Sequence, residues 1–338
     1  MANLHSSFLE FYDALQIVKT KRDQIIMSHN NLRELIKKEF SAKHPKYTVG
    51  FWIQGSWKMK TTIRTNDDEC DLDDGFYITP EPSVTSTTVK NWVQDAIDNV
   101  TNAGASHKNK CIRVQYASGY HIDIPVYVKS SFDKRWEHPK LATRDDGYIL
   151  SDPKELCDWF ADKKKDNDQL VRIISYMKAW SDDVPHTMPP GLALTILAAE
   201  NQVKDERDDV ALLKTLKAIR NKLNVSFTCM VPATPRDNVL SDFEDRKDQI
   251  IADFDRIINY GEKAISEKNM LKASKQWRHA VGDRFPESDD QDDPEMRLNE
   301  LRSLSNTVLS GKARTDNIGH IQTFDGVSHP THRFFGDK

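Results

Sequence analysis

Two aspartates one residue apart, Asp71 and Asp73, lie at the start of a run, Asp71–Ile78, that reads as a β-strand. Side chains alternate across a strand, so both carboxylates fall on one face. Side by side they repel, and one stays protonated unless a cation intervenes. A divalent ion held by one or two carboxylates and the oxygens of a bound phosphate is the natural resolution.

Two further features fit that demand. In Tyr120–Val128, Ile122, Ile124, Val126 and Val128 share an apolar face, while His121 and Asp123 share the other. Asp123 can therefore join Asp71 and Asp73 from a neighbouring strand, and three aspartates can hold two metals roughly 3.5–4 Å apart. Asp123 is the candidate acceptor of the nucleophile's proton. Upstream, the strand Tyr47–Ile53 runs into Gln54-Gly55-Ser56. A glycine at a strand-to-helix turn lets backbone approach a phosphate, and the helix start offers free N–H groups. Gln54, Trp57 and Lys58 are expected around the same ligand, with Trp57 the candidate for base stacking. Gly-Ser and Asp-x-Asp are each common in loops and strand ends. Their succession, with a lone aspartate on a later strand, is what carries information. Alternation turns Asp74 away from the other carboxylates.

The rest of the chain is read around this centre. Phe8, Tyr12, Leu15, Ile25, Leu32, Ile36 and Phe40 recur at helical spacing, predicting one long helix over the first forty residues, broken near Ser28-His29-Asn30. Ile112–Tyr116 and Tyr120–Val128 form a hairpin through Ala117-Ser118-Gly119, after a helix near Val89–Val100. From Asp152 onward three apolar stripes, around Leu170–Trp180, Val210–Leu223 and Leu240–Ile258, predict helices, with Pro232 and Pro235 in a connection. The expected fold is α+β. Residues 1–150 hold an N-terminal helix and a mixed sheet, 151–317 an all-helical lobe, and 318–338 a flexible tail, with the site in the cleft between the first two.

Composition sets bounds on partners. The net charge is −4 over 338 residues, so no global basic field favours a long nucleic acid, although one basic pocket remains compatible with a small anion. The four cysteines form no C-x-x-C pair, and the longest apolar run, near Leu192–Ala199, is too short for a bilayer. A cytoplasmic protein without a membrane partner is expected.

Gln54-Gly55-Ser56-Trp57-Lys58-Met59-Lys60-Thr61, followed by Asp71-Leu72-Asp73-Asp74-Gly75-Phe76-Tyr77, resembles the signature of the bacterial CD-NTases. These are polymerase-β-like nucleotidyltransferases related to the animal cyclic GMP-AMP synthase and the oligoadenylate synthases. The Asp-Asp-Gly-aromatic run is most similar to the DncV-type cyclic GMP-AMP synthases. His121-Ile122-Asp123-Ile124-Pro125-Val126 resembles the strand bearing the third metal aspartate, and Leu170–Trp180 the helix whose lysine, here Lys178, meets the triphosphate. The resemblance implies Mg2+ or Mn2+ as cofactor and synthesis of a cyclic di- or oligonucleotide from ATP and GTP, with release of pyrophosphate. It also implies a separate effector that reads the product in anti-phage (CBASS) signalling. Arg113, Ser151 and Asp237 are carried over as nucleotide contacts. Gly191 stands where the family has a triphosphate-binding serine, with Thr187 and Thr195 flanking it. The tail His332-Arg333-Phe334-Phe335-Gly336 is a candidate for conjugation to a partner. Two other readings compete: a linear oligonucleotide or poly(A)-type transferase, and a catalytically silent fold used as a binding module.

Overall fold

The computed structural model describes residues 2–134, 136–184, 186, 188–316, 318–322 and 326–328. The first forty residues form two helices, α1 (His5–Ala14) and α2 (Lys19–Lys43), and the chain bends at Leu15–Val18. The helix runs unbroken through Ser28-His29-Asn30. The reason for the bend is that the two helices serve different cores. Phe8 packs edge-on against Tyr176, Trp277 and Phe285 of the helical lobe. Ile25, Leu32, Ile36 and Phe40 pack on the sheet. The structure thus groups the first helix with the helical lobe rather than with residues 16–150.

The sheet is built on β2 (Cys70–Thr79), a ten-residue strand. Its one edge pairs antiparallel with β1 (Thr48–Gln54), which leads into the one-turn helix α3 (Gly55–Met59). Helix α4 (Ser86–Ile97) packs behind the sheet, and β3 (Ala105–His107) pairs with β4 (Ile112–Tyr116). The other edge of β2 pairs in parallel first with β5 (Tyr120–Ile124), then with β6 (Val126–Val128). Pro125 separates these two strands because it has no N–H to donate. The register nevertheless continues across it, Asp73 opposite Asp123 and Phe76 opposite Val126. β7 (Lys140–Ala142) and β8 (Tyr148–Leu150) extend the sheet on the β6 side, giving eight strands in all.

Helices α5 (Pro153–Lys163), α6 (Asp168–Asp183), α7 (Gly191–Asn201), α8 (Asp208–Val225), α9 (Lys247–Ser266) and α10 (Met270–Val281) form the second lobe. A 3-10 helix over Ser241–Arg246 precedes α9, so Leu240 and Phe243 fall outside the helix that their stripe predicts. Helix α11 (Pro294–Leu309) follows the acidic stretch around Asp289–Asp293. Within the segment expected to be a flexible tail, β10 (Ile321–Gln322) and β11 (Val327–Ser328) pair with β9 (Arg314–Thr315) in a three-stranded sheet. The motif His332–Gly336 lies outside the described residues. All four cysteines are buried and free. Among the described residues no helix is long and apolar enough to cross a membrane.

Candidate active site

The register of the sheet brings the acidic residues together. Asp73 lies opposite Asp123 and Asp71 opposite His121 across the β2–β5 pair, while Arg113 on β4 lies opposite Asp123. Paired residues point to the same side of a sheet. One face therefore carries Asp71, Asp73, Asp123, His121 and Arg113.

Their electrostatics differ. Burial, together with the charges of Asp71 and Asp123, pushes the Asp73 carboxyl well above the usual carboxylate range. Burial acts upward on Asp123 too. The hydrogen bonds from Arg113 and the nearness of His121, whose Nδ1 lies 3.4 Å from Asp123 Oδ1, outweigh it and hold that carboxyl at about 2. Arg113 grips Asp123 with two parallel bonds, Nε to Oδ1 and Nη2 to Oδ2, both 2.7 Å. A cluster in which one carboxyl must stay protonated beside two like neighbours has the donor chemistry for divalent cations. The oxygens of Asp71, Asp73 and Asp123 are those that would hold them. The set of ligand atoms already drawn close, His138, Asp152 and Glu155, has a structural account: Asp152 caps α5, and Glu155 accepts a hydrogen bond from the Thr234 backbone N–H.

Gly55 meets this cluster directly. Its φ is +63°, and a Cβ there would lie 2.2 Å from Asp73 Oδ2. Only glycine permits both the turn and the contact. Ser56 Oγ is 2.7 Å from Thr62 Oγ1 and lines the same cleft. Helix α3 is a single turn that rotates about 100° per residue. That rotation carries its next two residues out of the site. Trp57 packs on the sheet-side core beneath Arg22, and Lys58 lies 5.4 Å from the Trp52 ring. Neither lines the cleft, which corrects the expectation that both surround the ligand and that Trp57 stacks on a base.

From the opposite wall α6 presents Lys178. Its ammonium donates to the Thr61 carbonyl (2.8 Å) and hydroxyl (3.2 Å). Burial lowers its pKa to about 8, against the pull of Asp71 and Asp73. Gly191 opens α7 beside it, and a Cβ there would come within 3.2 Å of Lys178 Cε. Where a serine is expected, this chain keeps space for the lysine stem. Thr195 is buried and turns its hydroxyl to the Gly191 carbonyl, and Thr187 lies outside the described residues.

The cleft between sheet and helical lobe has a volume of about 1350 Å³. That exceeds the ~300–1,000 Å³ of an ordinary small-molecule site. Gln54, Gly55, Ser56, Arg113, Ser151, Lys178 and Asp237 all line it, with the three aspartates. Two lining residues went unread in the sequence. Thr61 anchors Lys178. Tyr127, on the same face as Asp123 two alternations further on, hydrogen-bonds Gln54. Alternation would have found Tyr127 had it been continued past the last aspartate.

A mixed sheet with three acidic residues on one face, a Gly-Ser turn at its edge and a helical lobe closing the cleft is the architecture of a polymerase-β-like nucleotidyltransferase. Residues 49–127 match the family model for the nucleotidyltransferase domain of cyclic GMP-AMP synthases of the DncV-like kind. It is 29% identical over 228 residues to the cyclic GMP-AMP synthase of Escherichia albertii, a match covering 61% of this chain. The matched region spans 50% of that relative's length. The crystal structure of Vibrio cholerae DncV cyclic AMP-GMP synthase superposes with a TM-score of 0.74 at 19% identity, covering 85% of this chain and 98% of that one. The same protein in complex with the linear intermediate 5′ pppA(3′,5′)pG gives a TM-score of 0.71 at 20% identity, over 84% and 96%. These structures share the fold.

Proposed function

We propose that the chain is a cyclic di- or oligonucleotide synthase that joins ATP and/or GTP by nucleotidyl transfer. One observation carries the reading: the register that sets Asp73 opposite Asp123, with Gly55 in contact with Asp73, inside a cleft with room for more than one nucleotide. Bound Mg2+ or Mn2+ would raise the acidity of the attacking ribose hydroxyl and neutralise the departing pyrophosphate. The chain's residues do the rest. Asp71 and Asp73 supply the carboxylate oxygens that would hold the ions, Asp73 from a buried position that disfavours its charge until a cation is present. Asp123 is kept ionised by Arg113 and His121, so it stands as a proton acceptor throughout the physiological range. The Gly55-Ser56 turn and Lys178 bring donors to a triphosphate from opposite walls, and Arg113, Ser151 and Asp237 line the space left for nucleosides.

The likeness to a fold captured with a linear pppApG intermediate supports two successive bonds made in one cleft. The product would be a messenger read by a separate effector in anti-phage signalling. The test is direct. The protein is incubated with NTP mixtures and Mg2+ or Mn2+, the products are treated with phosphatase, and the survivors are identified by mass. A phosphatase-resistant cyclic product is expected. A ladder of linear oligomers, or no product alongside firm binding of a protein partner, would overturn the reading.

A further inference from the structure

Gly75 follows the acidic run on β2, and its role is visible from what crosses it. Gln54 is the last residue of β1, opposite Asp73, and Trp52 is opposite Gly75. Tyr127 lies on the far side of β2, opposite Tyr77. For Gln54 to reach Tyr127 its side chain must pass diagonally over β2 at position 75. It does so: Gln54 Nε2 donates to the Tyr127 hydroxyl at 3.0 Å. A Cβ on residue 75 would lie 2.5 Å from Gln54 Oε1 and 3.1 Å from the Tyr77 ring. The glycine is the gap through which the glutamine passes.

The Tyr127 hydroxyl is a node. It is buried, its ring stacks on Tyr77 at 4.8 Å, and its oxygen accepts the Gln54 amide hydrogen. Gln54 Oε1 makes no other hydrogen bond, so Tyr127 is the one polar anchor of this amide among the described residues. Gln54 ends β1 beside the Gly55-Ser56 turn and Tyr127 sits on β6, so the bond ties together two separate strands of the cleft wall.

We propose that Tyr127 is a positioning residue for the nucleotide site, and that Gly75 is the small residue that allows it. The hydroxyl fixes the Gln54 amide beside the phosphate turn. This rests on the reading of the cleft as an NTP site. Tyr127 touches no reacting atom and acts through the Gln54 side chain it holds.

The test uses the full chain and nonhydrolysable triphosphate analogues of ATP and GTP with Mg2+, measuring Kd by calorimetry alongside steady-state KM and kcat. Tyr127→Phe keeps the ring and its stacking and removes the hydroxyl. Gly75→Ala keeps the hydroxyl and displaces chiefly the flexible end of Gln54, with a smaller adjustment of the Tyr77 ring and the Trp52 carbonyl. Both are expected to raise Kd and KM roughly five- to tenfold, the scale of losing a hydrogen bond or two. kcat should stay within about twofold and the melting temperature should barely move. Because both lesions break the same node, the double variant should be no worse than either single one. Unchanged Kd and KM in Tyr127→Phe, strict additivity in the double variant, or loss of binding only in step with melting temperature would each overturn the proposal. Wild-type protein that binds neither analogue would bring down the nucleotide-site reading itself. Wild-type binding with equal binding by Tyr127→Phe would remove only the role given to Tyr127.

Discussion

Asp73 and Asp74 are neighbours on β2 and occupy opposite electrostatic worlds. Asp74 points behind the sheet, is almost wholly buried, and meets the Arg33 guanidinium, Nε at 2.7 Å and Nη2 at 2.5 Å, with the His29 ring nitrogen 2.9 Å away. It fastens α2 to the sheet. Asp73 points into the cleft, where its neighbours are Asp71 and Asp123 and a glycine backbone. One carboxylate is placed to be satisfied by the fold, the other to be satisfied by what the fold binds. Strand alternation alone separates the two roles.

The largest expected effect tests that separation by exchanging the lesions. Asp73→Asn should reduce synthesis by at least about a thousandfold, the scale seen when a group that stabilises transition-state charge is lost. The fold should be untouched. Asp73 has a folded pKa raised above its unfolded value, so in metal-free buffer its contribution to stability is full below about pH 4 and is lost as pH rises. Melting curves in a chelator should therefore fall with rising pH in wild type and fall less in Asp73→Asn. Asp74→Ala should do the reverse: a loss on the order of 3–5 kcal/mol of stability, from stranding Arg33 and His29, with chemistry intact in whatever remains folded. Melting temperature and product yield measured on both variants would break the comparison if the two phenotypes were alike.

Gly55→Ala comes next. The new Cβ would strike Asp73 Oδ2 and demand an unfavourable left-handed backbone, so a loss of about a hundredfold in kcat/KM is expected from displacement of Asp73. Steady-state kinetics decide it, and near-normal turnover would show that Asp73 need not stay where it is. A smaller effect concerns Lys178. Its pKa of about 8 means that the ammonium is lost as pH rises past that value, and with it part of the grip on a triphosphate. Affinity for a nonhydrolysable NTP should weaken several-fold between pH 7 and about 9. Lys178→Arg, which stays charged, should flatten that profile. The smallest expected change is Thr61→Val, which removes one of two acceptors from Lys178. A KM increase of about two- to fivefold is expected, with kcat held.

The sequence made one part of this comparison plain. Alternation in Asp71-Leu72-Asp73-Asp74 and in His121-Ile122-Asp123 determines which carboxylates share a face, and the observed register puts them together. What alternation does not reach is contact across the sheet or between lobes. The 3.6-residue period runs through Phe8 and Phe40 alike, although one packs on the helical lobe and the other on the sheet, so the bend at Leu15–Val18 left no periodic trace. Trp57 beside Gly55-Ser56 looked like a stacking residue because sequence proximity was taken for spatial proximity, and a single helical turn undoes that. Lys178 was legible through the resemblance of Leu170–Trp180 to the helix whose lysine meets a triphosphate. Its anchor Thr61 was not, because the two are brought together only when the lobes meet. Gly75 was visible as part of a signature, but its reason, the passage of Gln54 overhead, exists only in three dimensions.

The packing of α1 has a consequence for how the molecule is made. Phe8 finds its aromatic partners at Tyr176, Trp277 and Phe285. During synthesis at roughly 5–20 residues per second, the first helix emerges on the order of tens of seconds before Trp277 exists. The sheet, whose apolar partners lie within residues 17–150, can assemble in the meantime. An aromatic face of α1 therefore stays uncovered until Tyr176, Trp277 and Phe285 have all been made, and α10 with the turn after it closes over that face.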